Sequence, residues 1–123
     1  MLFTYLLLII DVFLAASAQL LLKKLMSSFG SFELQWQALG SLFLFLIRNL
    51  YFWSTVVCYG LAFVCWLYVL SRIKLSVAYS SLSGVYILII LGSLFFFKEA
   101  IAPVQFLGIA LILVGLFFLF QIK

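Results

Sequence analysis

Four runs of apolar residues, 2–22, 51–70, 75–97 and 103–122, take up most of this chain, each close to twenty residues long. About 20 apolar residues of helix cross the roughly 30 Å hydrocarbon core of a bilayer, so each run is long enough to span. Lipid offers backbone N–H and C=O groups no partners, which leaves the α-helix as the form all four runs take. The chain is 69% apolar and 8% charged across 123 residues, more apolar surface than the interior of a soluble domain this size holds. The expected fold is all-α and integral to the membrane, one transmembrane domain covering residues 1–123.

Polar residues mark the segment edges. Lys23 and Lys24 close the first run, with stems able to snorkel to the interface. Arg48 and Asn49 open the second, Ser71 and Arg72 close it, Lys98 and Glu99 follow the third, and Pro103 takes a favourable first-turn position in the fourth. The connections 71–74 and 98–102 are short, so successive helices are expected to be antiparallel neighbours. Residues 33–47 carry an apolar stretch too short to span, read as an interfacial helix anchored by Trp36. The alternative is a long second helix projecting out of the bilayer. With the N-terminus inside, Arg72, Lys74 and Lys123 face Lys23, Lys24, Arg48 and Lys98 across the membrane, almost no orientation bias.

Several functions are excluded by residue type. There is no histidine, and Cys58 and Cys65 lie seven residues apart on one helix, about 10 Å along its axis and too far to bridge. Metal centres and Cys–His catalysis therefore lack ligands and partners, and no cofactor is expected. The net charge of +4 comes from residues at segment ends, which speaks to topology rather than to nucleic acid. No cleavable leader pattern is evident, so the first run is expected to stay in the protein.

Against this background Asp11 stands out, the only acidic residue inside any apolar run. It lies about 13 Å into the first span, where a carboxylate costs on the order of 3 kcal/mol to insert. Such residues mark transport or coupling sites, or else pair with a basic group of a neighbouring helix or stay protonated. Asp11, Ala15, Ala18 and Gln19 share one small, polar helix face, suited to a cavity wall or to close helix packing.

Three further stripes follow. Ser76, Tyr79, Ser80, Ser83 and Tyr86 place five hydroxyls on one face of the third span, lining a substrate path or bonding between helices. Gly84 and Gly92 on that span offer places to bend. Tyr59, Phe63 and Trp66 form an aromatic stripe at i, i+4 and i+7 in the second span, able to pack, to stack a sugar ring or to hold a cation. Gly108 and Gly115, seven apart in the fourth, make a groove fit for a second helix. Four helices enclose little volume, so a homodimer or heterodimer through the fourth helix is expected.

Ala18-Gln19 followed by Lys23, Cys58-Tyr59 with Phe63, the run from Leu75 to Tyr79, Lys98-Glu99 and the Gly108–Gly115 pair resemble the four-helix members of the drug/metabolite transporter superfamily. The resemblance covers most of the chain except residues 27–49. Two branches are relevant: the small multidrug resistance family of proton-coupled cation exporters, and the EamA-like group with the subunits of the undecaprenyl-phosphate aminoarabinose flippase. Multidrug members carry an essential glutamate where this chain has Ala15, and a tryptophan where it has Leu82. Tyr59, Phe63 and Tyr79 match their aromatic substrate-lining positions, and the glycine pair matches their dimer motif. The flippase subunits look closer, sharing Gln19, Leu82-Ser83 and Glu99 and also lacking the glutamate. Asp11, one turn before Ala15, is a departure from both and is placed to substitute for that glutamate.

The resemblance implies a transporter rather than an enzyme, in the bacterial inner membrane. Its leading form is a flippase moving a polyprenyl-phosphate-linked sugar or similar amphiphile between leaflets. The alternative is a proton-coupled exporter of small organic cations, and a third class is a subunit that only packs against an active partner. The implied substrate-binding set is Asp11, Gln19, Lys23, Tyr59, Phe63, Ser76, Tyr79, Ser80, Ser83 and Tyr86, with Gly108 and Gly115 at the dimer interface. On the flippase reading an ionised Asp11 would repel an anionic head, so it must be protonated, paired with a lysine such as Lys23, or kept away from the head.

Overall fold

Each apolar run folds as helix, and the polar punctuation between runs decides where each helix stops. The computed structural model describes residues 1–31 and 33–121, so Ile122, the expected end of the fourth span, and Lys123 lie outside it. Helix α1 is Leu2–Phe29, α2 Trp36–Arg48, α3 Leu50–Leu70, α4 Leu75–Ser81 and α5 Ser83–Gly92; a π-helical turn, Ser93–Phe97, continues α5, and α6 is Pro103–Gln121. Four helical stretches are long and apolar enough to cross a membrane: α1, α3, the third span Leu75–Phe97 and α6. The shorter apolar helix α2 lies between the first two. The molecule is all-helical.

α1 runs seven residues beyond the expected edge at Leu22. Lys23 and Lys24 favour helix as much as leucine does, so the lysines mark where the membrane ends rather than where the helix ends. Its 28 residues extend about 42 Å, more than the hydrocarbon core. Gly30, at φ 87°, turns the chain away, and its N–H donates to the Met26 carbonyl at 3.0 Å. After a local turn in which Gln35 bonds Glu33, α2 is only 13 residues, about 20 Å, too short to cross. It buries no residue of its own, and Phe45 meets Phe29 at 5.0 Å between ring centres. Asn49 separates α2 from α3 because it caps α3: its Oδ1 accepts the Tyr51 N–H at 3.0 Å.

The core is a seam between α1 and α3. Thr4, Leu8, Asp11, Ala18 and Leu25 are buried on α1, spaced four, three, seven and seven, and Thr55, Ala62 and Val69 answer on α3 at intervals of seven. A seven-residue repeat keeps one face toward one partner along both helices. Alanines at 18 and 62 let the two helices approach closely. The pairing is antiparallel: Phe3 stacks edge-on against Tyr68 at one end, and Lys24 lies over Tyr51 at the other. Leu8, Val69 and Ala78 form a cluster with Leu7, Trp66, Leu70 and Ile73, which ties α4 into the seam near the 71–74 turn.

The expectation that successive helices are neighbours needs refining. α3 and the third span meet mainly at that turn, and both lean on α1. The third span is also not one continuous helix. The Ser80 and Ser81 hydroxyls donate back to the Ser76 and Val77 carbonyls at 2.6 and 3.0 Å, a habit that bends helices. The ladder then tightens by one residue at Leu82, whose N–H reaches the Tyr79 carbonyl. Gly84 and Gly92 are not the bends. They are contact points against α1: a Cβ at Gly84 would sit 3.5 Å from Val12 Cγ1, and one at Gly92 only 2.5 Å from Leu20 Cδ1. Both pairs are eight residues apart in the same direction, so α5 runs parallel to α1. Beyond Gly92 the π turn ends at Lys98 in the left-handed region, φ 52°. α6 touches α4 and α5 but buries none of its residues.

Candidate functional site

The seam is interrupted at one level by a carboxylate. Asp11 is only 3% exposed, and among the described residues it has neither an ion-pair nor a hydrogen-bond partner. It lies on the wall of a groove of about 390 Å³ with Ala15 from α1, Tyr59, Ala62, Phe63 and Trp66 from α3, and Leu82 from the break between α4 and α5. That size suits a small ligand or part of a larger one. The aromatic residues converge because i, i+4 and i+7 share a helix face, and Ala15 and Ala62 leave the space between them open. Trp66 also meets Tyr79 edge-on, ring centres 5.3 Å apart, which joins the third span to the groove wall. The arrangement offers one carboxyl group to a ligand flanked by flat aromatic faces.

The structure thus gathers Asp11, Tyr59 and Phe63 around one space, with Tyr79 reaching it through Trp66. Sequence reasoning left Trp66, Ala62 and Leu82 out of the site, although the i+7 place of Trp66 in the aromatic stripe was the signal for it. Gln19 is exposed, about 12 Å further along α1, and does not line the groove. Lys23 does not neutralise Asp11 of its own chain. It lies about 18 Å away along α1 and pairs with Glu99 at 3.3 Å, fastening α1 to the segment before α6. Both partners are about half exposed, so the pair positions the segment and adds at most about 1 kcal/mol.

The hydroxyl stripe does not line this groove either. Ser76 and Tyr86 are exposed, Ser83 is half-buried, and Ser80 spends its hydroxyl on its own helix. Ser81, one residue off the stripe, carries the buried hydroxyl. On α6, a Cβ added at Gly108 or Gly115 would meet no atom within 4 Å, so the glycine groove lies open.

Residues 48–112, from the end of α2 through the first half of α6, match the family described as Small Multidrug Resistance protein. The chain belongs to that family. Four membrane-spanning helices and this membership make it an integral inner-membrane protein. Among similar proteins is a probable 4-amino-4-deoxy-L-arabinose-phosphoundecaprenol flippase subunit ArnE from Pseudomonas savastanoi pv. phaseolicola, 42% identical over 58% of this chain and 62% of the relative. Another is the ArnE subunit of Aeromonas salmonicida, 34% identical over 89% of this chain and 90% of the relative. An ArnF subunit from Shewanella sediminis is 41% identical over 54% of this chain and 47% of the relative. The chain thus spans less than two thirds of the length of several curated relatives it matches. No solved structure matches. The two branches suggested by the residues meet here: the family is that of the multidrug proteins, and these relatives bear flippase names.

Proposed function

We propose that this chain is one subunit of a two-subunit transporter that carries a polyprenyl-phosphate-linked amino sugar between leaflets. The observation that carries the reading is Asp11, buried and unpartnered on an aromatic-walled groove. The relatives' named substrate has an amino group on its sugar, which is cationic near neutral pH. A carboxylate beside Tyr59, Phe63 and Trp66 suits an ammonium on a sugar ring, since aromatic faces attract cations and stack on the ring. The repulsion expected between Asp11 and an anionic head is thereby removed, because the groove would meet the amino end and not the phosphate. The open glycine face of α6 supports a partner of the same four-helix kind, as the relatives' names as subunits also suggest.

The test is transport in proteoliposomes of a fluorescent amino-sugar phospholipid analogue and of its N-acetylated, uncharged form. Asp11→Glu should keep the preference for the amine. Asp11→Asn should lower amine transport about tenfold or more, the scale of losing one charged hydrogen bond, and leave the N-acetyl form unchanged. Measurable transport of both analogues at the same rate, by the chain reconstituted with its partner subunit, would end the reading. A second reading, export of small organic cations, draws on the family match and the same groove. Pumping of a quaternary ammonium dye that carries no phosphate, at the same rate as the amino-sugar lipid, would favour it.

A further inference from the structure

A larger cavity lies at the other end of α1. Its volume is about 580 Å³, and its lining is Ser17, Leu20, Leu21 and Lys24 from α1, Tyr51 from the start of α3, and Phe96 and Phe97 from the π turn. Positions 17, 20, 21 and 24 are one helix face, about 10 Å long. The cavity is graded along that length. Its inner part is lined by Ser17, Leu20 and Leu21, and its outer end by Lys24, held 4.9 Å over the Tyr51 ring, with Phe96 and Phe97 near that same level because Gly92 faces Leu20 and α5 runs parallel to α1. Lys24 is about 33 Å from Leu2 along the helix, at headgroup level if Leu2 marks the other face.

Lys24 is one of several basic residues with no carboxylate partner among the described residues, and of these it is the one that lines this cavity. The chain has three acidic residues. Glu99 is taken by Lys23, Glu33 bonds Gln35, and Asp11 is about 20 Å away. Among the described residues, Lys24 therefore has no carboxylate partner, only the face of Tyr51. The π turn shapes the opposite wall: by widening the helix after Gly92 it brings two consecutive phenylalanines to the cavity. A cationic mouth over an apolar trough, parallel to the lipid chains, is complementary to a phosphate with a hydrocarbon chain attached.

We propose that this cavity seats the phosphate and first isoprenoid units of the polyprenyl-phosphate substrate, with Lys24 contacting the phosphate, before the sugar reaches the Asp11 groove. The inference rests on the proposed function for its choice of lipid. An ammonium and a phosphate on one sugar are a ring's width apart, whereas Asp11 and Lys24 are about 20 Å apart along α1. One molecule thus occupies the two sites in succession and not together.

The experiment places the full chain in phosphatidylcholine nanodiscs with a polyprenyl phosphate carrying a diazirine in its first isoprenoid units. Irradiation should give adducts on peptides containing Leu20, Leu21, Phe96 or Phe97. Lys24→Gln should lower their yield about tenfold, and Lys24→Arg should retain it. The corresponding polyprenol, without phosphate, should label the parent chain no better than the phosphate probe labels Lys24→Gln. Equal labelling by the polyprenol, or adducts spread over α6, overturns the proposal. So does loss of labelling on adding excess phosphatidylglycerol, which would make the cavity a seat for bulk lipid. Labelling intact with amino-sugar transport absent would remove the functional reading and keep a polyprenyl-phosphate site; transport intact with labelling absent would do the reverse.

Discussion

Gly92 offers a steric test of the α1–α5 packing. A methyl at this position would sit 2.5 Å from Leu20 Cδ1, 2.8 Å from Cδ2 and 3.2 Å from Cγ. Carbon atoms in contact prefer about 3.5–4.0 Å, so both Leu20 methyls overlap and the branch point is crowded as well. Rotating the tip alone does not clear all three. Overpacking of this kind costs about 1–3 kcal/mol, and alanine's better helix preference returns about 1 kcal/mol. Gly92→Ala should therefore destabilise by up to about 2 kcal/mol. Gly60→Ala is the control: nothing lies within 4 Å of its Cβ, so only the helix preference acts and stability should hold or rise. The gap between the two variants is the steric cost, about 1–3 kcal/mol. In a Leu20→Ala background the overlap is gone, and the gap should close. The assay is reversible SDS unfolding in mixed micelles followed by circular dichroism. Gly92→Ala as stable as Gly60→Ala, or an undiminished gap in Leu20→Ala, would refute this packing.

Replacing Gly108 and Gly115 together by leucine should abolish subunit association while leaving insertion intact, because both lie on an open face; unchanged oligomer size by light scattering in detergent would place the interface elsewhere. Single cysteines at Phe63 and Tyr79, after removal of Cys58 and Cys65, should react with a water-soluble thiol reagent faster than one at Leu88. Equal rates would mean that the groove carries no water.

The architecture was legible where the bilayer dictates it. Twenty apolar residues in lipid have one low-energy form, so the four spanning helices and the short helix between the first two follow from run length. The departures lie where backbone and three-dimensional pairing decide. Nothing in the hydropathy of 75–97 reveals that Ser80 and Ser81 turn their hydroxyls on their own helix and break it at Leu82, or that a π turn follows Gly92. Gly84 and Gly92 read as places to bend, and only the nearness of Val12 and Leu20 shows them to be contact points. Lys23 was a sensible counter-ion for Asp11 by charge, but the helical rise keeps them apart and Glu99 lies nearer. Half of the groove was legible, since Asp11, Tyr59 and Phe63 announce themselves by type and spacing. Leu82 was not, because the break that brings it in was not.

The absence of buried residues on α6 has a consequence for how an assembly of this chain behaves. The internal contacts of α1, α3 and α5 hold together whether or not α6 has company, so folding and association are separable events. Association then obeys mass action within the plane of the membrane, set by the ratio of protein to lipid. Diluting reconstituted protein with lipid should drive subunits apart while each keeps its helices and its seam, and crowding should restore them.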